Sequence, residues 1–428
     1  MKKILFTGII SMVGLTLMAC SGSGSSEGSS SDDGKEEITV WTWPNNDQTF
    51  ENITIPMFEE EHPDINVKVE AFGSEEYPQK LRTSLTAGEG PDVAMVEIAN
   101  VSDFREMGTF ENLNQEPYNA AELKADYVDY TWEYVEGDDG SVFALPKNTA
   151  PAAMFYNKKA FSEAGLPTDP DEVHELMKTW DDYVEAAGEL STSGEKWAIS
   201  TPNQVKDTII QQNGTPYYDE EGNLQINNET FMDAYDYVEQ LDEMDAFSPY
   251  VEFSSEWNGA IQNGSVATYF HGNWFEAYLK NNSPEGEGNW GVTYAPEYKG
   301  QSAFNDGGDF IGIVKDSEKK ETGWEFVQFV SQNSENLEKM YTQDALYPAY
   351  EEALSNEWMN QENEFFGGQV TNEIFAEVAD NMEAPSISVN DPVAESGVND
   401  LLSNITESDR SLNEALEQAV SEIEARQE

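Results

Sequence analysis

The sequence predicts an α/β fold built on an open parallel sheet with helices packed over it. Three observations carry this. Apolar positions alternate through "EITVWTW", with Ile38, Val40 and Thr42 on one side and Thr39, Trp41 and Trp43 on the other, which is the period of a strand. "INVKVEAF" (Ile65–Phe72) alternates in the same way, and "PDVAMVEI" (Pro91–Ile98) is apolar enough to be buried on both faces, as strands of a parallel sheet are. Two stretches of helical period separate the three, and the order β-α-β-α-β lays helices over a parallel sheet.

Each element has its local reason. In the first helix Phe50, Ile53, Met57 and Phe58 form the apolar stripe, Asp47 is the expected N-cap, and Pro63 lies beyond the end. Pro56 falls inside that stripe and predicts a kink. "YPQKLRTSLTAGEG" is a second helix, with Leu81 and Leu85 inward and Gly88 near its C-terminal end. "VFALPKNTAPAAMFYNKKAFSEAGL" (Val142–Leu166) reads as an extended apolar stretch and then a short helix. Helices are expected in "DTIIQQNG", "NETFMDAYDYVEQLDEM" and "WNGAIQNGSVATYFHGNWF". "FNDGGDFIGIVKDSEKKETGWEFVQFVSQ" (Phe304–Gln332) returns to strand, turn and helix, and the last stretch of the chain is mostly helical.

The chain has 428 residues, 38% of them hydrophobic, with 10 Trp, 19 Tyr and 21 Phe, enough to build packed cores despite its charge. That charge is −61 at pH 7. A surface so negative repels nucleic acid and anionic lipid. It suits a solvated exterior in a saline or alkaline setting; cation binding at clustered carboxylates is the other reading, and no liganding loop supports it. "DEEGNLQINNE" places Gly222 at position four of a calcium loop rather than six, so it reads as a turn. His62, His174 and His271 are scattered, with no metal-ligand spacing.

The first residues have the form of a leader. Lys2 and Lys3 precede a short apolar run, Ile4–Met18, which ends in "LMAC" at Cys20, the single cysteine. This resembles a bacterial lipobox, so residues 1–20 are expected to be a lipoprotein signal with Cys20 acylated. The Ser/Gly-rich stretch 21–35 is expected to be a flexible tether. Lipid anchoring at the outer face of a cell membrane follows as the expected location.

After the lipobox and tether come "ITVWTW", "IPMFEEEHPDINVKVE", "LRTSLTAGEGPDVAMVE", "ALPKNTAPAAMFYNKKAFSEAGLP", "TWDDYVEAAGEL" and "GGDFIGIVKDSEKKETGWEFVQFVS". In this order they resemble the extracellular sugar-binding lipoproteins of ABC importers, the maltose-binding-protein-like type, over essentially the whole mature chain. The resemblance implies a two-lobed, periplasmic-binding-protein-like α/β fold, with a hinge and a ligand cleft between the lobes. It places one lobe at 36–149 plus 303–348 and the other at 150–302 plus 349–428. It also implies a carbohydrate ligand, ABC permease subunits as partners, a monomeric state, and neither cofactor nor catalysis.

Sugar recognition needs flat aromatic faces for the C–H side of a ring and amides or carboxylates for its hydroxyls. The chain supplies both at positions such a fold turns toward the cleft. Trp43 stands with Asn45, Asn46 and Asp47 after the first strand, and Glu97 and Asn100 follow the third. "KNTAP" offers Asn148 and Thr149, with Tyr156 just beyond. Trp257, Asn273 and Trp274 come from the middle region, Asp306, Gly307, Gly308 and Asp309 from "NDGGD", and Tyr347 from the last crossing. Several tryptophans hint at an oligosaccharide. A binding protein for another solute, such as a peptide, would use the same cleft. A surface glycosidase would need two carboxylates about 5–9 Å apart, and among 83 acidic residues no pair stands out.

Overall fold

The computed structural model describes residues 34–428 apart from 138, 220, 385, 409 and 428. The expected leader, Cys20 and the tether up to residue 33 lie outside the described residues. The body spans Glu36–Glu428, and among the described residues no helix is long and apolar enough to cross a membrane.

A nine-stranded sheet runs through the body: β1 (Glu36–Thr42), β2 (Ile65–Ala71), β3 (Val93–Glu97), β4 (Leu145–Asn157), β5 (Trp197–Ile199), β6 (Val266–Gly272), β7 (Trp290–Thr293), β8 (Phe304–Ile313) and β9 (Tyr347–Pro348). The order is β2-β1-β3-β8-β4-β6-β5, with β7 and β9 also paired to β4. The first three strands are parallel, as their pattern predicts. The sheet as a whole is mixed, because β8 runs antiparallel to both β3 and β4. β3 is buried from Val93 to Val96, which is why it carries no polar alternation.

Local chemistry explains most boundaries. Gly88 ends the helix Tyr77–Ala87 in the left-handed conformation at φ 69°, the usual glycine cap, and Leu81 and Leu85 face the core. The helix near Asp47 differs from expectation. Asn45, at φ 80°, holds the N-cap position, while Asp47 lies in the first turn and accepts from the Gln48 N–H. Pro56 is accommodated without ending the helix: it sits in the first turn of Ile55–Glu61, directly after a π-helical stretch, Phe50–Thr54. A wider turn ahead of proline relieves the clash its ring would make with the preceding carbonyls. The segment expected as helix through "WNGAIQNGSVATYFHGNWF" is instead helix Ser255–Asn263, strand β6 and helix Phe275–Asn282. Gly264 breaks the first helix at φ 71°, and the β-branched and aromatic run after it pairs with β4.

Candidate functional site

β4 carries the site. It is thirteen residues long and buried throughout. Its first half pairs with β8 and its second half with β6 and β7. Register shifts flank Asn148–Thr149, where the strand must bend to serve two sets of neighbours. There Asn148 pairs with Asp309, and Asp309 pairs in turn with Glu97 on β3. Three polar residues far apart in sequence thus share one row of the sheet. Thr149 faces Gly308 in β8 and Tyr347 in β9.

This row opens on a cavity of about 520 Å³, within the ~300–1,000 Å³ common for small-molecule sites. Ten of the residues read from sequence line it: Trp43, Glu97, Asn148, Thr149, Asn273, Trp274, Asp306, Gly307, Gly308 and Asp309. The other seven do not. Asn45 caps a helix and Asp47 lies in its first turn. Asn46 is buried behind the wall, accepting from Lys147. Asn100 closes a 3-10 turn, Ile98–Asn100. Tyr156 is buried with its hydroxyl donating to the Thr168 carbonyl. Trp257 is buried with its indole donating to Ser200. Tyr347 is buried in β9, paired beside Thr149.

Trp274 reaches the wall because Gly272 leaves room for it: a Cβ at Gly272 would stand 2.7 Å from the indole. The Trp274 Nε1 donates to the Asp306 carbonyl at 2.8 Å. The Asp306 carboxylate accepts from the Gly272 N–H at 2.9 Å and lies 3.0 Å from His271 Nδ1. Burial works against a charged His271, but its contact with Asp306 outweighs that and raises its pKa. Gly307 and Gly308 hold φ of 126° and 139°, values side chains disfavour, and so turn the backbone between Asp306 and Asp309.

Sequence reasoning missed the facing wall. Asp207 and Gln211 come from the helix Pro202–Gln212, and Asp391, Pro392 and Glu395 from the helix Asp391–Glu407; Tyr217 and Asn305 also line the cavity. The one local signal was Asn305, next to the "NDGGD" aspartates.

Two lysines stand behind the wall, both fully buried. Lys147 donates to Asn46 at 2.8 Å and to Asn148 at 3.1 Å, and lies 3.7 Å from Asp309. Burial lowers the Lys147 pKa and raises that of Asp309, each only partly countered by the other. Lys206 is different. It touches Asp207 at 2.5 Å, and although burial disfavours its charge, Asp207, Tyr217 and Glu395 outweigh this and raise its pKa. On the wall itself Glu97 opens to the cavity, yet loss of surrounding water, with Asp309, Asp306 and Glu395 nearby, raises its pKa to about 7. Burial raises Asp391 to about 6.

The family model for bacterial extracellular solute-binding proteins matches residues 42–336. The arabinooligosaccharide-binding protein of Bacillus subtilis (strain 168) is 24% identical over 376 residues, covering 85% of this chain and 84% of the relative. The sn-glycerol-3-phosphate-binding periplasmic protein UgpB of Rhizobium meliloti (strain 1021) is 26% identical over 324 residues, covering 70% and 69%. A crystal structure of an extracellular solute-binding protein family 1 member superposes with a TM-score of 0.80 at 20% identity, covering 91% of this chain and 99% of that one. The fold is therefore the two-lobed, periplasmic-binding-protein-like α/β fold. These relatives are binding proteins by name, and the chain belongs to the bacterial extracellular solute-binding protein family.

Proposed function

We propose that this chain captures a sugar, an oligosaccharide in particular, in the cavity between Trp43, Trp274 and the Glu97–Asp309 row. It then passes the sugar to the permease of an ABC importer. The observation that carries the reading is the meeting of two half-buried indoles with amides and carboxylates on one concave wall. That is the chemistry a sugar ring asks for: an apolar platform for its C–H face and acceptors for its hydroxyls. The arabinooligosaccharide-binding relative, matched over most of both chains, supports the same class.

In this reading the lobes are 36–149 with 303–348 and 150–302 with 349–428, and they close over the ligand about the crossing near Asn148. Asn45, Asn46, Asp47, Asn100, Tyr156, Trp257 and Tyr347 support the wall from behind or beside it. Cys20 carries the acyl anchor and residues 21–35 the tether, holding a monomer at the outer face of the membrane. The test is a thermal-shift and calorimetric screen of plant-wall and storage oligosaccharides against short peptides. Ligand that binds only the folded state raises the melting temperature by mass action. Stabilisation by at least one sugar with a Kd near micromolar is expected; stabilisation by peptides alone refutes the proposal.

A further inference from the structure

The cavity wall is one-sided in its charge. Six carboxylates line it, those of Glu97, Asp207, Asp306, Asp309, Asp391 and Glu395, and among the described lining residues there is no lysine or arginine. A second, independent feature points the same way. Three polar side-chain atoms of the lining residues are buried without a partner within the protein: Asn273 Oδ1, Asn305 Oδ1 and Asp391 Oδ1. All three are acceptors. Asn273 and Asn305 are 2% and 9% exposed, so bulk water does not satisfy them. An unmet buried acceptor is costly, and these three atoms add no hydrogen-bond donor to the wall. The buried positive charges do not alter the balance toward a ligand. Lys147, Lys206 and the His271 imidazole sit behind the wall, occupied by Asn46, Asn148, Asp207, Tyr217 and Asp306.

We infer that the cavity selects its ligand by charge: it accepts a neutral sugar or one carrying a protonated amine, and it rejects acidic sugars such as uronates and phosphate esters. The inference rests on the sugar reading above and narrows it. The family does not impose it, since one relative is named for binding sn-glycerol-3-phosphate; a phosphate is held most strongly by cationic donors, and lysines and arginines are missing from the described lining. A single uncompensated like charge about 6 Å away, across an effective dielectric of ~20, weakens binding about a hundredfold.

The test uses the full mature chain and matched probes measured by calorimetry at pH 8. Xylobiose, arabinotriose, galactobiose, cellobiose and lactose represent neutral sugars, digalacturonate and glucuronoxylobiose acidic ones, and glucosamine disaccharide the amine class. The expected result is that a neutral or amine sugar binds and each acidic counterpart binds at least about a hundredfold more weakly. Glu395→Gln should narrow that ratio threefold or more, and 0.5 M salt should narrow it as well. An acidic sugar binding as well as its neutral counterpart overturns the charge inference and leaves the sugar reading intact. A ratio unmoved by both Glu395→Gln and salt also overturns it, because rejection would then be steric. Binding of peptides alone, or of no sugar, overturns both.

Discussion

Replacing Lys147 with methionine should destabilise the protein by about 3 kcal/mol at pH 8, the lower end of the cost of breaking a buried ion pair. Methionine keeps an unbranched stem and removes the ammonium, with its bonds to Asn46 and Asn148 and its place near the Phe50 ring. The magnitude follows from the geometry. At 3.7 Å from Asp309, one charge acts on the other with ~4 kcal/mol at an effective dielectric of ~20. Burial already opposes both ionised forms, and Asp309 keeps its hydrogen bonds to Asn46 and Asn148, so less than the full Coulomb energy is lost. Lys147→Met with Asp309→Asn removes the stranded charge as well, and should recover about 2 kcal/mol of the loss.

Urea denaturation followed by tryptophan fluorescence measures all four members of this cycle. The single mutant's deficit should shrink as pH falls from 8 to 5. Asp309, whose pKa burial already raises, takes up a proton more readily once Lys147 is gone, and the unpaired charge disappears. If the double mutant is no more stable than Lys147→Met, and the deficit does not depend on pH, Lys147 is not the counter-charge of Asp309 and the electrostatic account of this wall fails.

Two further outcomes are expected. Trp43 lies on the cavity wall with its ring 5.4 Å from Tyr77. Trp41 lies away from the wall, 4.8 Å from Phe72, with its indole donating to Glu70. Trp43→Ala should weaken sugar binding by tenfold or more with a smaller effect on melting temperature. Trp41→Ala should cost ~1–2 kcal/mol of stability, since it is only half-buried, and leave the Kd unchanged; equal destabilisation with binding retained in both makes Trp43 a packing residue. Glu97 gives a pH signature. Its pKa is raised from 4.5 to about 7 in the folded chain, so its favourable contribution is full below about 4.5 and is lost as pH rises through 7. Glu97→Gln, which cannot ionise, should therefore melt higher than the parent at pH 8 and match it near pH 4.5. A difference that stays constant from pH 4.5 to 8 contradicts the assignment.

What was legible in the sequence was local. Strand alternation at Ile38–Thr42, the glycine stop at Gly88 and the glycine pair at 307–308 are consequences of neighbouring residues, and each reads directly. β6 was hidden because the helical signal of "WNGAIQNG" ran into it, and only pairing with β4 shows that the run after Gly264 is extended. Tyr156 and Trp257 show why residue type does not settle a site. Each has the aromatic face a sugar needs, but the sheet and its covering helices turn both into the core, where their polar atoms find Thr168 and Ser200. Asp207, Asp391 and Glu395 were illegible for the opposite reason. In a chain with 83 acidic residues, three carboxylates on two helices far apart in sequence look like any solvated surface until folding places them around one cavity.

The two buried lysines resolve an apparent contradiction in that wall. Six carboxylates around one cavity should repel each other strongly enough to oppose its assembly. A cation on the wall would relieve the repulsion, but it would also occupy the acceptors that a hydroxylated ligand needs. Here three of the carboxylates have a lysine behind them. Lys147, on the same strand as Asn148, serves Asp309; Lys206, on the same helix as Asp207, serves Asp207 and Glu395. The relief is unequal, and the inequality has a geometric cause. Lys206 is in direct contact with its partner at 2.5 Å, while Lys147 stands off at 3.7 Å. That leaves the Glu97–Asp309 side with the weaker lysine support, and burial raises the pKa values of both groups there; it also raises Asp391 and Glu395 on the other side, Glu395 in spite of Lys206, so lysine relief is partial around the whole wall.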